Sequence, residues 1–328
     1  MSAHGHQLFA DELARFAAEA GQPQLTAIAE RIAAPLRVAV CGRVGVGRST
    51  VARALESAGL VVTTPPATAE VVVHVIAEVV KPEDRDAIAA ASVPMLLVLN
   101  KADLTGAAAR TLCAKFSAAT GAPAQPLVAL LAVTALESLL DDTLWAALRL
   151  LAAQPPDIRS PDDFLAGSHP VSPTIRQRLL NTLDLLGIAV AMAAIRRHAS
   201  MTAVVDLLRR LSGLDAVIES VANLGAEACY RRVLEAVAEL EALAVTADSI
   251  SDFLCCDETV IARMASAVDV MGAGGHDVDP DEDPAGHLRR AVHWQRYSRG
   301  PAAALHRRCG ADIARGSLRL WSQAGGSP

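Results

Sequence analysis

The chain has 328 residues, of which 52% are hydrophobic and 3% aromatic, and its formal net charge is −6. This length predicts about two domains with apolar cores, and the acidic balance argues against a basic nucleic-acid-binding surface, so we expect no nucleic-acid partner. The six cysteines form no CxxC pair. They indicate reduced, buried thiols in a cytoplasmic protein rather than a zinc site or a disulfide framework.

Apolar periodicity predicts the secondary structure in chain order. Two amphipathic helices over 7–34 precede a strand at 36–42, a glycine-rich turn and a helix at 49–58. Further strands are predicted at 60–64, 71–77, 93–100 and 127–133, and further helices at 82–91, 106–120 and 137–153. Strands that alternate with helices predict a parallel α/β sheet with right-handed crossovers.

The pattern changes at Gln154-Pro155-Pro156, after which only helical spacing is found. We therefore predict N-terminal helices (1–35) that pack on the helical domain, an α/β domain (36–154) and an all-helical bundle (155–328) with a mobile loop at 272–287. The apolar run Leu179–Ile195 is interrupted by polar residues and predicts a buried helix. The sequence gives no support for membrane association.

A glycine-rich turn follows the first strand, where residues 42–50 read GRVGVGRST. They match the phosphate-binding pattern GxxxxGK[ST], except that arginine replaces the lysine. Glycines let backbone N–H groups face a phosphate, and the following helix adds its positive end. An ordinary strand–helix turn is the alternative. The candidate phosphate-binding residues are Gly42, Val44, Gly45, Gly47, Arg48, Ser49 and Thr50, and the Ser49 hydroxyl is the candidate magnesium ligand.

The strand at 93–100 ends in a second motif, Asn100-Lys101-Ala102-Asp103, which matches NKxD. A carboxylate at Asp103 can accept hydrogen bonds from both N1–H and N2–H of guanine, and adenine offers no such pair. The stem of Lys101 can lie over the base, and Asn100 can tie this loop to the glycine-rich turn. Ligands of doubly wound sheets bind at the carboxyl ends of strands, where this motif lies.

A third motif, with Thr134 and Ala135, ends the strand predicted at 127–133. It is similar to the [ST]-A-[KL] loop, whose backbone N–H contacts guanine O6.

The residues expected to hydrolyse a bound nucleoside triphosphate depart from the motifs that usually accompany such a turn. Thr63 and Pro66 stand where a DxxG motif would have its metal-binding aspartate and its glycine. Proline has no N–H to offer a γ-phosphate, and threonine has no charge for a metal. The helix that ends near Ala58 leaves no room for a switch-I loop and an edge hairpin before the next strand. Arg48 lacks the compact charge of lysine. A metal carboxylate from Glu78 or Asp84 is the alternative to a lost magnesium site.

Three motifs in this order resemble those of P-loop GTPases of the translation-factor-like class, specifically over residues 35–136. The helices before the first strand, the form LRVAVCGR at 36–43 and the long helical region are similar to actinobacterial dynamin-like GTPases. The resemblance implies a P-loop GTPase-like fold, reduced at the switch-I and edge-hairpin region, and binding of GDP or GTP. It also implies a stalk-like helical bundle and a protein partner, either a GTPase paralogue or a second copy. The chain is shorter than full dynamin-like proteins.

Other candidate sites carry less chemistry. Alternating aspartates at 277–283 lack the spacing of an EF-hand and indicate an acidic loop. Paired arginines are balanced by nearby acids and indicate solvated helix faces. His293, His306 and Cys309 could converge on a metal, but helical surface positions explain them more simply.

Three hypotheses follow. The first is a degenerate guanine-nucleotide-binding protein with weak or no hydrolysis, which acts as a regulatory or structural partner of another GTPase or complex. The second is an active GTPase with rewired metal and switch elements. The third is a helical scaffold that binds no nucleotide.

Overall fold

The computed structural model describes residues 5–64 and 68–325, and the chain divides into two compact units. Residues Arg37–Val221 form the first, which we call the sheet unit. The second, the helical unit, combines the chain up to Leu36 with the chain from Ala222 onward. The N-terminal helices thus group with the C-terminal ones. The sheet unit extends well beyond Gln154.

Five parallel strands form one sheet in the order β2-β1-β3-β4-β5. The strands are β1 (Arg37–Gly42), β2 (Val61–Val62), β3 (Val71–Ile76), β4 (Met95–Asn100) and β5 (Ala124–Leu127). The helices, numbered along the chain, are α1 (Gly5–Ala20), α2 (Pro23–Ala33), α3 (Arg48–Ser57), α4 (Pro82–Ala89), α5 (Ala109–Thr120), α6 (Ala129–Leu136), α7 (Asp142–Ala153), α8 (Pro161–Ala166), α9 (Pro173–Arg196), α10 (Met201–Ser212), α11 (Leu214–Ala244), α12 (Asp248–Cys255), α13 (Asp257–Ala273), α14 (Pro284–Ser298) and α15 (Ala304–Gln323). The prediction of a parallel α/β sheet combined with many helices is confirmed.

The central strands are hydrophobic, as is typical of parallel sheets. β3 reads VVVHVI, and all six of its residues are buried. In the ladder, Cys41 lies opposite His74 and Gly42 opposite Val75. All carboxyl ends of the strands meet at one edge of the sheet, since all the pairings are parallel. The loops that follow β1 and β4 therefore lie at the same edge of the sheet, although β3 separates the two strands.

The prediction of a strand at 127–133 is wrong. β5 ends at Leu127, and residues 129–136 form helix α6, which is rich in alanine and leucine and largely buried. An apolar run of this length suits a buried helix as well as a buried strand, so periodicity did not separate the two. The backbone N–H of Val128 donates to Ser212 O at 2.8 Å, which ends the strand ladder.

The helical unit has its own cores. Phe9, Leu13 and Ile28 from α1 and α2 pack with Val233 and Leu240 of α11. A second cluster joins Tyr230, Trp294 and Ile313 with residues of α13. No strand is found in the described part of this unit. The two N-terminal helices are confirmed.

The loop between α13 and α14 spans residues 274–283, so it is shorter than predicted. Arg290 is 7% exposed, and its Nη1 donates to the carbonyls of Asp279 and Asp281 at 2.8 and 3.2 Å. The interpretation of this arginine as part of a solvated face is wrong, because it anchors the loop. The mobility of the loop stays a prediction.

All six cysteines are free thiols. Cys113, Cys229 and Cys309 are buried, and burial raises the pKa of the Cys309 thiol to about 12. Cys255 is exposed, so the expectation that all the thiols are buried is wrong for this residue.

Among the described residues, α9 is the one helix long and apolar enough to cross a membrane, and 33% of its most apolar window is buried. The helix breaks at Asp184, where φ is 55° and ψ is 179°. It packs on α7 and α6 within the sheet unit.

A buried ionic network crosses the helical unit. The hydroxyl of Tyr230 donates to Asp312 Oδ2 at 2.6 Å, and Arg263 Nε donates to the same oxygen at 2.7 Å. Asp312 is 3% exposed, so its charge depends on these donors. Burial, with the neighbouring Asp312 charge, raises the pKa of Tyr230 far above its usual value.

Replacing Tyr230 by Phe should lower the free energy of unfolding by about 1.5–3 kcal/mol, because a hydrogen bond to a buried charge is lost. Tyr297→Phe is the matched control, since the Tyr297 hydroxyl makes only a long contact of 3.4 Å with His276. Urea unfolding of both variants, followed by circular dichroism, gives the comparison. Equal losses for the two variants would contradict the network.

Candidate nucleotide-binding site

The glycine-rich turn joins β1 to α3 at the carboxyl edge of the sheet. Gly45 and Gly47 have φ of +88° and +89°, a region that residues with a side chain rarely adopt. The side chain of Val44 is 90% exposed, whereas Val46 is buried. The turn therefore needs its glycines for backbone reasons.

Helix α3 begins directly after Gly47. Its first turn has no side-chain cap and no acidic residue. The first hydrogen bond of the helix runs from Val51 N–H to Gly47 O at 3.0 Å, so the N–H groups of Arg48, Ser49 and Thr50 have no partner within the helix. Arg48 and Ser49 are exposed. A positive helix end, with N–H groups that have no partner within the helix and an exposed guanidinium, can hold an anion.

Asn100 ties the two loops together. Its Nδ2 donates to Val46 O at 2.9 Å, and its Oδ1 accepts from Ala129 N–H at 3.2 Å. A Cβ atom on Gly47 would collide with Nδ2 of Asn100. The structure thus brings the glycine-rich turn and residues 100–103 into direct contact.

The loop after β4 is held in an unusual conformation. Lys101 has φ of +55°, and Asp103 lies in the first turn of a 3-10 helix over Ala102–Ala108. Burial and the nearby charge of Asp184 raise the pKa of Asp103, although its own backbone N–H and Lys101 oppose the rise. Burial is the largest of these causes. A half-buried carboxylate without a side-chain donor among the described residues would gain from ligand N–H groups.

Thr134 and Ala135 do not lie on a loop at the sheet edge. Both belong to helix α6, and Thr134 is fully buried with its hydroxyl donating to Thr182 O. Ala129, at the start of the same helix, contacts Asn100. Thr134 lies five residues further, about 7 Å along the helix axis. The loop-based argument for a contact with guanine O6 therefore loses its basis.

Sequence reasoning missed a buried cluster beside the turn. Asp84 is fully buried, and its carboxylate accepts from Arg43 Nε at 3.1 and 3.2 Å and from Lys81 N–H at 2.9 Å. It also contacts His74 Nε2 at 3.0 Å. Burial disfavours the charged form of Asp84, but these hydrogen bonds outweigh it and lower the pKa of the carboxyl.

The region expected to replace the DxxG motif is described in part. Thr63 donates its N–H to Val38 O at 2.8 Å, and its hydroxyl is buried without a partner among the described residues. Pro66 lies outside the described residues. Three residues, 58–60, connect α3 to β2.

Candidate metal ligands are dispersed. Over residues 5–64 and 68–325 no group of three His, Cys, Asp or Glu side chains is placed to hold a metal ion. Cys309, one of the three residues that could have converged on a metal, is buried at 0% exposure rather than on a helix surface.

Comparison of the chain with protein-family models, with curated proteins and with solved structures finds no match.

The contact between Gly47 and Asn100 can be tested with two glycine variants. Gly47→Ala and Gly45→Ala both place a side chain at φ near +90°, and only the first meets Asn100. We expect both to be destabilised by about 1–2 kcal/mol through backbone strain, and Gly47→Ala by about 1–3 kcal/mol more. Urea unfolding measures the difference. Equal stability of the two variants would show that the loops do not touch.

A buried carboxylate with a lowered pKa stabilises the fold above the ordinary aspartate pKa of about 3.9. That stabilisation is lost as the pH falls through the lower pKa of the folded state. Asp84→Asn should cost about 3 kcal/mol at neutral pH, and the deficit should shrink under acid conditions. Urea unfolding of wild type and variant between neutral and acid pH measures this. Asp86→Asn, at an exposed position on the same helix, should show no such trend. A deficit that stays constant with pH would contradict the assignment.

Proposed function

We propose that the chain is a degenerate guanine-nucleotide-binding protein with weak or no hydrolysis, which serves as a regulatory or structural partner of another GTPase or complex. The observation that carries the proposal is the Asn100 bridge. It holds the N-terminus of α3, which has no side-chain cap among the described residues, and a half-buried carboxylate at the same edge of a parallel sheet.

Different residues at this edge would contact different parts of the nucleotide. In the proposal, backbone N–H groups of residues 45–50 and the Arg48 guanidinium hold the phosphates. The Asp103 carboxylate accepts from N1–H and N2–H of guanine, and the stem of Lys101 covers the base. The nucleotide supplies the negative charge that the end of α3 lacks. The Ser49 hydroxyl is exposed and remains the candidate magnesium ligand.

Weak hydrolysis follows from the residues themselves in this proposal. Asp84, one alternative metal carboxylate, has its oxygens engaged by Arg43, His74 and Lys81. Thr63 offers no charge for a metal. The proposed partner role rests on the family resemblance, which includes a GTPase paralogue or a second copy as partner.

Calorimetric titration with GDP and GTP, with and without magnesium, tests the proposal. We expect micromolar binding that favours guanine and does not require magnesium. Binding with magnesium-dependent turnover that Ser49→Ala abolishes would favour the active GTPase instead. No binding at millimolar nucleotide would overturn both and leave the scaffold, or a site that a partner completes.

A substitution at Asp103 gives the specificity test. Asparagine replaces one acceptor by a donor, so Asp103→Asn should lose guanine binding by about 100-fold. The same amide can pair with N1–H and the C2 carbonyl of xanthine, so xanthosine diphosphate should bind the variant better than wild type. Asp162→Asn, at an exposed position of the same unit, is the control. Unchanged guanine binding in Asp103→Asn would contradict the assignment.

A further inference from the structure

A groove of about 460 Å³ opens on one face of the sheet. Its floor is formed by Cys41, Val72, His74 and Met95. One wall is formed by Ala87 of α4 and by Ala91 in the loop after that helix. A volume of this size is typical of small-molecule sites.

The groove exists because this face of the sheet is incompletely covered. Parallel sheets carry helices on both faces. The connection from β2 to β3 has only eight residues, and its described part contains no α-helix. Helix α4 presents small alanine side chains towards the floor. Of the floor residues, Cys41 and Met95 are partly exposed, whereas Val72 and His74 are 7% and 4% exposed.

Arg43 lies at one end of the groove, paired with Asp84. Arg43 holds Asp84 through Nε alone, and its terminal nitrogens have no partner among the described residues. Its side chain is 25% exposed, whereas that of Asp84 is fully buried. The charge of Asp84 is already met by three donors, so the outer face of the guanidinium remains available to a ligand.

We propose that this groove binds a small carboxylic acid with an apolar chain. The chain would lie on Val72 and Met95, and the carboxylate would accept from the terminal nitrogens of Arg43. A guanidinium fork matches a carboxylate in both shape and charge. Glu83, exposed at the rim, repels any anion and repels a phosphate with two charges more strongly than a carboxylate with one, so Arg43 supplies the attraction in this proposal. This inference does not depend on nucleotide binding.

Octanoate is the probe, and the thiol of Cys41 is the reporter. Cys41 lines the groove, and the exposed Cys255 lies in the helical unit as an internal reference. Alkylation by N-ethylmaleimide, located by peptide mass spectrometry, is followed with increasing octanoate, octanol or octylamine. We expect octanoate to slow alkylation of Cys41 but not of Cys255, at concentrations about tenfold below those that octanol needs.

Three variants complete the test. Ala87→Leu should abolish protection by filling the groove, and Ala89→Leu, an exposed position of the same helix outside the lining, should leave it unchanged. With Arg43→Gln, octanoate should protect Cys41 from alkylation no better than octanol does. Absence of protection, equal protection by octanoate and octanol, or equal slowing at Cys255 would overturn the proposal. Loss of protection in Ala89→Leu would do the same. Ala87→Leu keeps every charged residue of the groove, so it remains informative even if Arg43→Gln fails to fold.

Discussion

The local architecture of the sheet edge depends on one buried carboxamide, that of Asn100. It donates to the carbonyl of Val46 and accepts from the N–H of Ala129, so one side chain at the end of β4 links a turn and a helix that are far apart in sequence. A buried amide that loses one of these partners leaves a polar group without a hydrogen bond, which costs about 1–3 kcal/mol. The amide also sets the local shape, because no side chain at position 47 fits beside it.

The sequence predicts the parts of this fold that depend on local periodicity and turn chemistry. The valine-rich strands, the glycine-rich turn between β1 and α3 and the two N-terminal helices are predicted correctly from the residues. It does not predict β5 and α6, because an apolar run of eight residues fits a buried helix or a buried strand equally well. The sequence predicts that the N-terminal helices pack on the C-terminal helical region, and α1 and α2 do group with the chain from Ala222 onward, but it does not predict that residues 155–221 belong to the sheet unit, since that depends on long-range packing. In the candidate site, Asn100 and Asp103 lie where the motif predicts. The Arg43–Asp84 pair, separated by 41 residues, carries no local signal.

Each unit contains a buried carboxylate held by an arginine. Asp84 is bound by Arg43, and Asp312 by Arg263 and Tyr230. Well-packed apolar residues are often at least as stable as buried ion pairs, so such pairs are weak evidence for stability and better evidence for a specific arrangement. In the sheet unit the pair lies beside an open groove. There the Arg43–Asp84 ion pair occupies a place where apolar side chains could instead cover the sheet.

The sheet is protected at both of its edges against pairing with strands from other molecules. At one end β2 has only two residues, too few to template a long ladder. At the other end β5 contains Pro126, which has no N–H to donate outward. Open edges with long unpaired strands promote aggregation. In the folded chain, a strand from another molecule therefore finds little backbone to pair with at either edge, which disfavours fibril growth by strand addition.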